Sequence, residues 1–247
     1  MAAVRADRCL AQEAVPPLCV LDFDGDLSDH LATRGITSAW SSWACFHTSM
    51  RVATIDGLAC GIVPRTIGGP YAVLVAEQLW AAGAQLIVGI TSAGRVSPNL
   101  PLPSIVIVDE AVRDEGTSLH YLPPSPSVLT PTADVVDLLV RELSTVSSRV
   151  CRGRVWTTDA PYRETPEQLT FWADRGVLAV EMQAASLFAF AHARGAQVAM
   201  VALVSNSVDQ VAGDFDTGGH EFRTDVLAAV ARAAQAFVSS ASGARSD

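Results

Sequence analysis

The sequence contains no pair of cysteines with the CxxC spacing. Its five cysteines (Cys9, Cys19, Cys45, Cys60 and Cys151) are scattered singly. An odd, dispersed set of this kind is typical of reduced cytosolic thiols and does not fit a disulfide framework or a zinc site. We therefore expect a cytoplasmic protein without a metal site.

The sequence also predicts neither a membrane-spanning segment nor a signal peptide. No run is long enough to cross a bilayer, and residues 1–12 carry Arg5, Asp7 and Arg8 without the apolar core of a signal peptide. Charged residues make up only 17% of the chain, and the net charge is −9. An acidic surface disfavours nonspecific binding to nucleic acid and to anionic membranes. We expect neither of them as a partner.

The chain is large enough to bury a sizeable core, since it has 247 residues of which 49% are apolar. Short apolar runs that suit strands alternate with helix-like segments, which favours an α/β fold with a mostly parallel sheet. Arg51–Ile55 and Leu58–Val63 flank Asp56-Gly57, a turn pair that predicts a hairpin inserted into this pattern.

Both ends of the chain are predicted to lie outside the folded unit. An alanine-rich terminal helix is expected over Glu221–Val238, followed by a flexible tail at residues 239–247. Residues 1–14 are expected to form a flexible arm. The remainder, residues 15–238, is predicted to fold as a single domain.

The segment from Gly176 to Asn206 is central to the functional interpretation. Val177–Val180 and Val198–Val204 are apolar runs typical of buried parallel strands, and the helix between them is predicted to end at Arg194-Gly195. Glu181 closes the first of these strands, and open α/β sheets bind ligands at the carboxyl ends of their strands. Two interpretations remain for Glu181: a ligand-binding carboxylate, or a cap at the first turn of the helix.

Polar residues follow two other predicted strands. Leu18–Leu21 runs into Asp24-Gly25-Asp26, whose carboxylates suit a metal or catalytic site, or a solvated turn. The full spacing of a calcium loop is absent. Leu86–Ile90 is followed by Thr91-Ser92-Ala93-Gly94, which suits an oxyanion or a nucleophilic water, or a tight turn.

Several of these segments occur in an order and spacing that resemble a known family. The segments are Ile67–Pro70, Ser92–Gly94, Arg113–Tyr121, Trp156–Thr165 and Val180–Ala185. Together they resemble the nucleoside phosphorylase and nucleosidase superfamily, which contains uridine phosphorylase, hexameric purine nucleoside phosphorylase and methylthioadenosine nucleosidase. The resemblance extends from about Val52 to Val238.

The resemblance implies both a fold and an activity. The fold is a three-layer α/β domain with a mixed, partly barrel-like central sheet flanked by helices. The activity is cleavage of the N-glycosidic bond of a nucleoside, without a cofactor. The assembly is a homo-oligomer, either a dimer or a trimer of dimers.

The ribose site is implied at Glu181, Met182 and Gln183. In the family the second Glu of a Glu-Met-Glu motif accepts hydrogen bonds from ribose hydroxyls, and the Met packs on the sugar face. Here Gln183 stands at the place of that second Glu, and a neutral amide lacks the charge that makes the interaction strong. Ordinary core packing is the alternative role for Met182.

The base site is implied at Tyr162, Arg163 and Glu164, with Tyr162 stacking on the base and its two neighbours at the polar rim. Alternatively, Arg163 and Glu164 pair with each other or cap the helix that begins near Thr165. Asn206 is a catalytic candidate, because purine-cleaving members carry an Asp there that acts on the leaving base. Asn donates and accepts hydrogen bonds but delivers no proton, which suits a 6-oxopurine or a pyrimidine better than adenine, or means weakened catalysis.

The nucleophile subsite departs from the phosphorylase pattern. The resemblance places phosphate or water at Ser92 and Gly94. Phosphorylases carry one arginine in the loop after the first strand and another just before the Ser/Thr strand end. After Asp24 this chain has no arginine until Arg34, and Gly89 stands at the second position. Phosphate binding requires guanidinium groups or several backbone donors.

Two explanations are compatible with the absence of these two arginines. In the first, Arg51, Arg65 or an arginine of a neighbouring subunit replaces the missing cations, and phosphate remains the nucleophile. In the second, the chain follows the nucleosidase branch, which also lacks the arginines and uses an acidic cluster after its first strand to activate water. Asp24 and Asp26 lie at about that place and are the catalytic candidates for this role.

The sequence therefore leads to three hypotheses. The leading one is a phosphorylase that releases free base and pentose 1-phosphate. The second is a nucleosidase that uses water. The third is a nucleoside-binding homologue that has lost the chemistry.

Overall fold

The computed structural model describes residues 14–43, 48–207 and 219–243. The strands in these ranges are β1 (Leu18–Asp22), β2 (Ser38–Ala39), β3 (Arg51–Ile55), β4 (Leu58–Pro64), β5 (Leu86–Arg95), β6 (Ser104–Asp114), β7 (Ser127–Leu129), β8 (Val150–Thr158), β9 (Val177–Glu181) and β10 (Val198–Ser207). The α-helices in these ranges are α1 (Asp26–Thr33), α2 (Gly69–Ala81), α3 (Ala133–Leu143), α4 (Pro166–Ala173), α5 (Ala184–Arg194) and α6 (His220–Gly243).

The strands in the described part of the chain form one 10-stranded mixed sheet. Its order is β10-β6-β8-β9-β5-β1-β4-β3-β2, and β7 pairs with β6. Because β10 also pairs with β5, the strands β5, β10, β6, β8 and β9 close into a ring. The pairing is parallel around β1 and antiparallel at β2 and β3. The sheet is therefore mixed and partly barrel-like, as predicted.

The strand residues alternate between two apolar layers, as the two-residue period of a pleated strand requires. In β1, Cys19 and Leu21 pack on the side that carries α2 and α5. Leu18 and Val20 pack on the other side, which carries α1, α3 and α6. Helices thus cover both faces of the sheet. The predicted three-layer architecture is confirmed.

The inserted hairpin is formed by β3 and β4, which pair antiparallel from Arg51 opposite Ile62 to Ile55 opposite Leu58. Both turn residues have positive φ angles, 47° at Asp56 and 82° at Gly57. Two successive positive φ angles characterise the tight turn that joins twisted antiparallel strands. The hairpin prediction is confirmed at the predicted residues.

Two strands continue beyond their predicted ends. β5 extends through Arg95 instead of ending at Ile90, and β10 extends through Ser207 instead of ending at Val204. The reason is the closure of the ring, because Gly94 pairs with Asn206 on one side and with Val180 on the other. The alternative of a tight turn after Ile90 is therefore wrong. Ser92 and Asn206 both lie within strands.

The chain ends are only partly covered by the structure. Residues 1–13 of the expected arm lie outside the described residues. α6 continues to Gly243, beyond the predicted end of the helix at Val238. The single domain over residues 15–238 stays a prediction.

None of the helices in the described ranges combines the length and the apolarity needed to span a membrane. The cytoplasmic location stays a prediction.

Candidate active site

A cavity of about 500 Å³ opens where β5, β9 and β10 meet, which is a volume typical of small-molecule sites. It brings together nine residues that the sequence predicted for the site. These are Asp24, Ser92, Gly94, Tyr162, Glu164, Glu181, Met182, Gln183 and Asn206. Asp26 and Arg163 are the two predicted site residues that do not line it.

Glu181 has the capping role considered for it, and its ligand-binding role stays a prediction. The residue forms part of the cavity wall, although it is almost fully buried. Its Oε2 accepts hydrogen bonds from the backbone NH groups of Gln183 at 2.6 Å and Ala184 at 2.9 Å, which caps the start of α5. Burial raises the pKa of Glu181 to about 7, while the hydrogen bonds from Thr157, Gln183 and Ala184 oppose this shift.

Met182 and Gln183 follow at the start of α5. Met182 is half-buried and lines the cavity, so it does not have the fully enclosed environment of a core methionine. Gln183 is only 2% exposed. Its Oε1 accepts hydrogen bonds from the backbone NH of Met182 at 3.3 Å and from the Thr91 hydroxyl at 3.4 Å. Those contacts fix the amide at the cavity wall.

The turn that contains Tyr162, predicted to bind the base, forms part of the cavity wall. The Tyr162 side chain is fully exposed beside the cavity, and burial raises the pKa of its half-buried neighbour Glu164 to about 7. The helix cap considered for Arg163 and Glu164 is made by Thr165 instead, because Thr165 and Gln168 form a reciprocal capping box at the start of α4. Glu164 is thus left facing the cavity.

Asn206 lies on β10, half-buried at the cavity wall. Its Oδ1 accepts a hydrogen bond from the Ser205 hydroxyl at 2.7 Å. The bulge in the pairing of β10 with β5 falls between Val204 and Asn206, and bulges re-aim side chains next to binding sites.

The predicted phosphate-or-water subsite at Ser92 is in contact with a residue that was not predicted from the sequence. Arg223, on the first turn of α6, is 0% exposed. Its Nη2 donates hydrogen bonds to Asp24 Oδ2 at 3.0 Å and to Ser92 Oγ at 2.8 Å. Ser92 in turn donates to Asp24 Oδ2 from its hydroxyl at 2.6 Å and from its backbone NH at 3.1 Å. A guanidinium group therefore stands directly behind the predicted phosphate-or-water subsite.

Neither Arg51 nor Arg65, the two cations proposed from this chain, lines the cavity, and an arginine from a neighbouring subunit stays a prediction. Arg51 donates a hydrogen bond to the Thr37 hydroxyl, and Arg65 forms a surface ion pair with Asp29. A Cβ atom at Gly89 would lie 2.3 Å from Met200 Sδ, so a side chain does not fit at that position. All 17 basic residues of the chain are arginines. Among the arginines in the described part of the chain, it is Arg223 that donates a hydrogen bond to the Ser92 hydroxyl.

A sequence signal for Arg223 exists in the pattern of α6. Val226, Leu227 and Val230 follow it at the spacings i+3, i+4 and i+7, and all three are fully buried. Arg223 therefore occupies a core position of an amphipathic helix. Because arginine is almost never fully buried unless it is paired, its presence there indicates a buried partner.

Asp22, at the end of β1, stabilises the loop that carries Asp24. Asp22 is fully buried, and its Oδ2 accepts hydrogen bonds from the backbone NH and the hydroxyl of Ser28 at 2.8 and 2.7 Å. Burial raises the pKa of Asp22, against the lowering effects of Ser28 and of the Arg223 charge. Asp26 begins α1 beyond Gly25, whose φ of 89° reverses the chain. That reversal separates Asp26 from the cavity.

Among the described residues, no group of three His, Cys, Asp or Glu side chains is arranged to hold a metal ion.

Comparisons with known proteins agree on one family. The family model described as the phosphorylase superfamily matches residues 46–242. A guanosine phosphorylase of Halorubrum lacusprofundi is 29% identical over 163 residues, 66% of this chain and 66% of that protein. The chain thus spans just under two thirds of that relative's length.

Two further relatives have related names. A uridine phosphorylase of Treponema pallidum is 27% identical over 194 residues, which are 72% of this chain and 74% of that protein. A purine nucleoside phosphorylase, DeoD-type, of Caldanaerobacter subterraneus subsp. tengcongensis is 30% identical over 142 residues, 55% of this chain and 59% of that protein.

Proposed function

The chain belongs to the phosphorylase superfamily, and we propose that it cleaves the N-glycosidic bond of a nucleoside with phosphate, releasing a free base and a pentose 1-phosphate. In this reaction a phosphate oxygen forms a bond to C1′ of the sugar while the bond between C1′ and the base nitrogen breaks. The bonding electron pair leaves with the base, which takes up a proton.

The observation that carries the proposal is the donor set at the nucleophile end of the cavity. Ser92 offers a hydroxyl and a backbone NH, and Arg223 places a guanidinium behind them. Hydroxyl, amide and guanidinium donors together suit a phosphate oxyanion. Ser92 lines the same cavity as Glu181, and Arg223 donates to Ser92 from outside the cavity lining.

The sugar end is assigned to Glu181, Met182 and Gln183. Positive charge develops on the sugar ring as the glycosidic bond breaks, and a fixed carboxylate beside the ring stabilises that charge when it is ionised, which Glu181 is increasingly as the pH rises through about 7. Glu181 is held rigidly by Thr157 and by the start of α5. A carboxylate that does not reorganise during the reaction provides this stabilisation most effectively.

The base end is assigned to Tyr162, Glu164 and Asn206. The exposed ring of Tyr162 provides a stacking face, and the Asn206 amide both donates and accepts hydrogen bonds. Glu164 lines the same cavity, and its raised pKa keeps part of it protonated near neutral pH. Glu164 therefore supplies the proton to the leaving base that Asn206 does not. A 6-oxopurine or a pyrimidine fits this set better than adenine.

A second candidate function is hydrolysis of the same bond. The observation that favours it is Asp24, whose carboxylate lines the cavity beside Ser92. A carboxylate in this place accepts a proton from an attacking water molecule. The product is then the free sugar instead of its phosphate.

The test is a product assay with a panel of purified nucleosides in buffers with and without inorganic phosphate. We expect pentose 1-phosphate to form only in the buffer that contains phosphate. Free sugar in both buffers would replace phosphorolysis by hydrolysis. The absence of any product would support a nucleoside-binding protein without catalysis. A Tyr162→Ala variant purified in parallel excludes contaminating host enzymes, because its turnover must fall with its nucleoside binding.

A further inference from the structure

One oxygen atom of the protein occupies the centre of the donor set at the nucleophile end. Asp24 Oδ2 accepts hydrogen bonds from the Ser92 backbone NH at 3.1 Å, the Ser92 hydroxyl at 2.6 Å and Arg223 Nη2 at 3.0 Å. These are the donors that would hold an oxygen of a bound oxyanion. The carboxylate of Asp24 is thus placed where such an anion would bind.

The same carboxylate separates Arg223 from the cavity. Arg223 is 0% exposed and does not line the cavity, whereas Asp24 and Ser92 both do. The side chain of Asp24 is 17% exposed. An anion that enters the cavity therefore meets the negative charge of Asp24 before it meets the positive charge of Arg223.

We infer that Asp24 is an internal occupant of the anion subsite, and that phosphate binds Ser92 and Arg223 only by displacing it. Three donors directed at one oxygen position do not serve two anions at once. A phosphate placed beside Asp24 also experiences like-charge repulsion, which is strong in a partly buried site. Asp24 is then a specificity-determining residue that sets how readily phosphate enters.

This inference rests on the proposed function for its place in a reaction, but the binding step that it concerns requires no nucleoside. It predicts that the wild-type protein binds inorganic phosphate weakly. It also predicts that the binding site becomes available when the charge of Asp24 is removed. Asp24→Asn suits this purpose, because the amide keeps the shape of the side chain and an oxygen for the Ser92 donors.

The experiment is a calorimetric titration with inorganic phosphate, without nucleoside, at constant ionic strength. We expect Asp24→Asn to bind phosphate at least about tenfold more tightly than the wild type, because the internal competitor has lost its charge. Asp29→Asn is the matched control. It removes the same charge from an exposed site nearby that pairs with Arg65, and we expect it to bind phosphate as the wild type does. The double variant Asp24→Asn/Ser92→Ala should lose most of the gain in phosphate affinity.

An Asp24→Asn variant that folds and binds phosphate no more tightly than the wild type overturns the inference. A structure of the wild-type protein at saturating phosphate provides a test that does not depend on the folding of any variant. We expect Asp24 to have left Ser92 in that structure. Phosphate bound while Asp24 Oδ2 still accepts from the Ser92 NH would contradict the inference. The proposed function fails separately, if neither the wild type nor Asp24→Asn cleaves any nucleoside.

Discussion

The Thr157 hydroxyl donates a hydrogen bond to Glu181 Oε1 at 2.5 Å and accepts one from the backbone NH of Ala185 at 3.0 Å. Thr157 thereby connects the end of β8 to the end of β9 and to the first turn of α5. Glu181 is held by this connection and forms part of the cavity wall. Changes at Glu181 are therefore expected to alter both stability and ligand binding.

The first prediction concerns Glu181 and the pH dependence of stability. Burial raises its pKa from 4.5 to about 7, so between these values the folded protein keeps a proton that the unfolded chain releases. The stabilising contribution is complete below pH 4.5 and is lost as the pH rises through about 7. We expect Glu181→Gln to flatten this part of the stability curve, measured by urea unfolding across the same pH range.

Glu164 titrates over a similar range, since its pKa is also raised to about 7. The Glu164→Gln variant measures separately how much Glu164 contributes to the dependence of stability on pH. Glu181→Gln should in addition weaken riboside binding about tenfold or more, because a charged hydrogen bond contributes about 1.5–3 kcal/mol. An unchanged slope in Glu181→Gln would show that Glu181 is already ionised well below neutral pH.

The second prediction concerns Glu164 as the proton donor to the base. Because only the protonated acid transfers a proton, we expect kcat/KM of the wild type to fall as the pH rises above about 7. Glu164→Gln should lower cleavage about 100-fold and remove this alkaline decline. Glu167→Gln is the matched control, since Glu167 lies exposed on α4 outside the cavity lining. The proposed role would be refuted by a Glu164→Gln variant with the wild-type pH profile.

The third prediction concerns Tyr162. Its ring is fully exposed at the cavity, so its removal costs the fold little. We expect Tyr162→Ala to weaken nucleoside binding by about 1–3 kcal/mol, the usual contribution of base stacking. The melting temperature should stay nearly constant, and Tyr162→Phe should bind almost normally. Loss of folding in Tyr162→Ala, without a separate loss of binding, would assign the ring a structural role.

The parts of the fold that were predictable from the sequence depend on local signals. Asp56-Gly57 specifies a tight turn by its own backbone preferences, and the hairpin forms where expected. The helix α5 ends at Gly195, whose φ of 66° is the left-handed conformation that glycine adopts easily. Such signals operate within a few residues, so they are present in any short window of the chain.

The parts that were not predictable depend on contacts between distant segments. Arg223 and Asp24 are 199 residues apart in the chain, and their ion pair forms only after α6 packs on the sheet. The continuation of β5 past Ile90 likewise requires β9 and β10 to pair with Gly94. Composition and periodicity do not identify which distant residues pair with each other. The buried position of Arg223 in α6 was the one local indication of its role.

The fourth prediction concerns assembly. Ile67 is 52% exposed and Leu74 is 48% exposed, and Ile67 also lines the cavity. An apolar side chain at the edge of a site suits a neighbouring subunit that completes it. We expect light scattering to give the mass of a dimer or a trimer of dimers, and Ile67→Glu to lower that mass and the nucleoside affinity together. Ile36→Glu, at an exposed apolar position after α1, should change neither. A clean monomer mass for the wild type would contradict this prediction.

The last prediction concerns Gln183, which the family resemblance places at the second Glu of a Glu-Met-Glu motif. Gln183 is held at the cavity wall, and its backbone NH donates to Glu181 Oε2 at 2.6 Å. Gln183→Glu keeps the shape of the side chain and adds a negative charge where positive charge develops on the sugar. A charged hydrogen bond exceeds a neutral one by about 1 kcal/mol. We therefore expect about fivefold tighter riboside binding and faster cleavage, at a cost in stability because a second carboxylate is buried beside Glu181.

Calorimetry with a riboside and a product assay measure both effects. Gln168→Glu is the control, because Gln168 exchanges hydrogen bonds with Thr165 at the start of α4 and a glutamate serves equally well in a capping box. This control should leave riboside binding unchanged. If Gln183→Glu and Glu181→Gln both fold and neither alters riboside binding or turnover, Glu181 acts only as the cap of α5, because a carboxylate in contact with the sugar must respond to at least one of these changes.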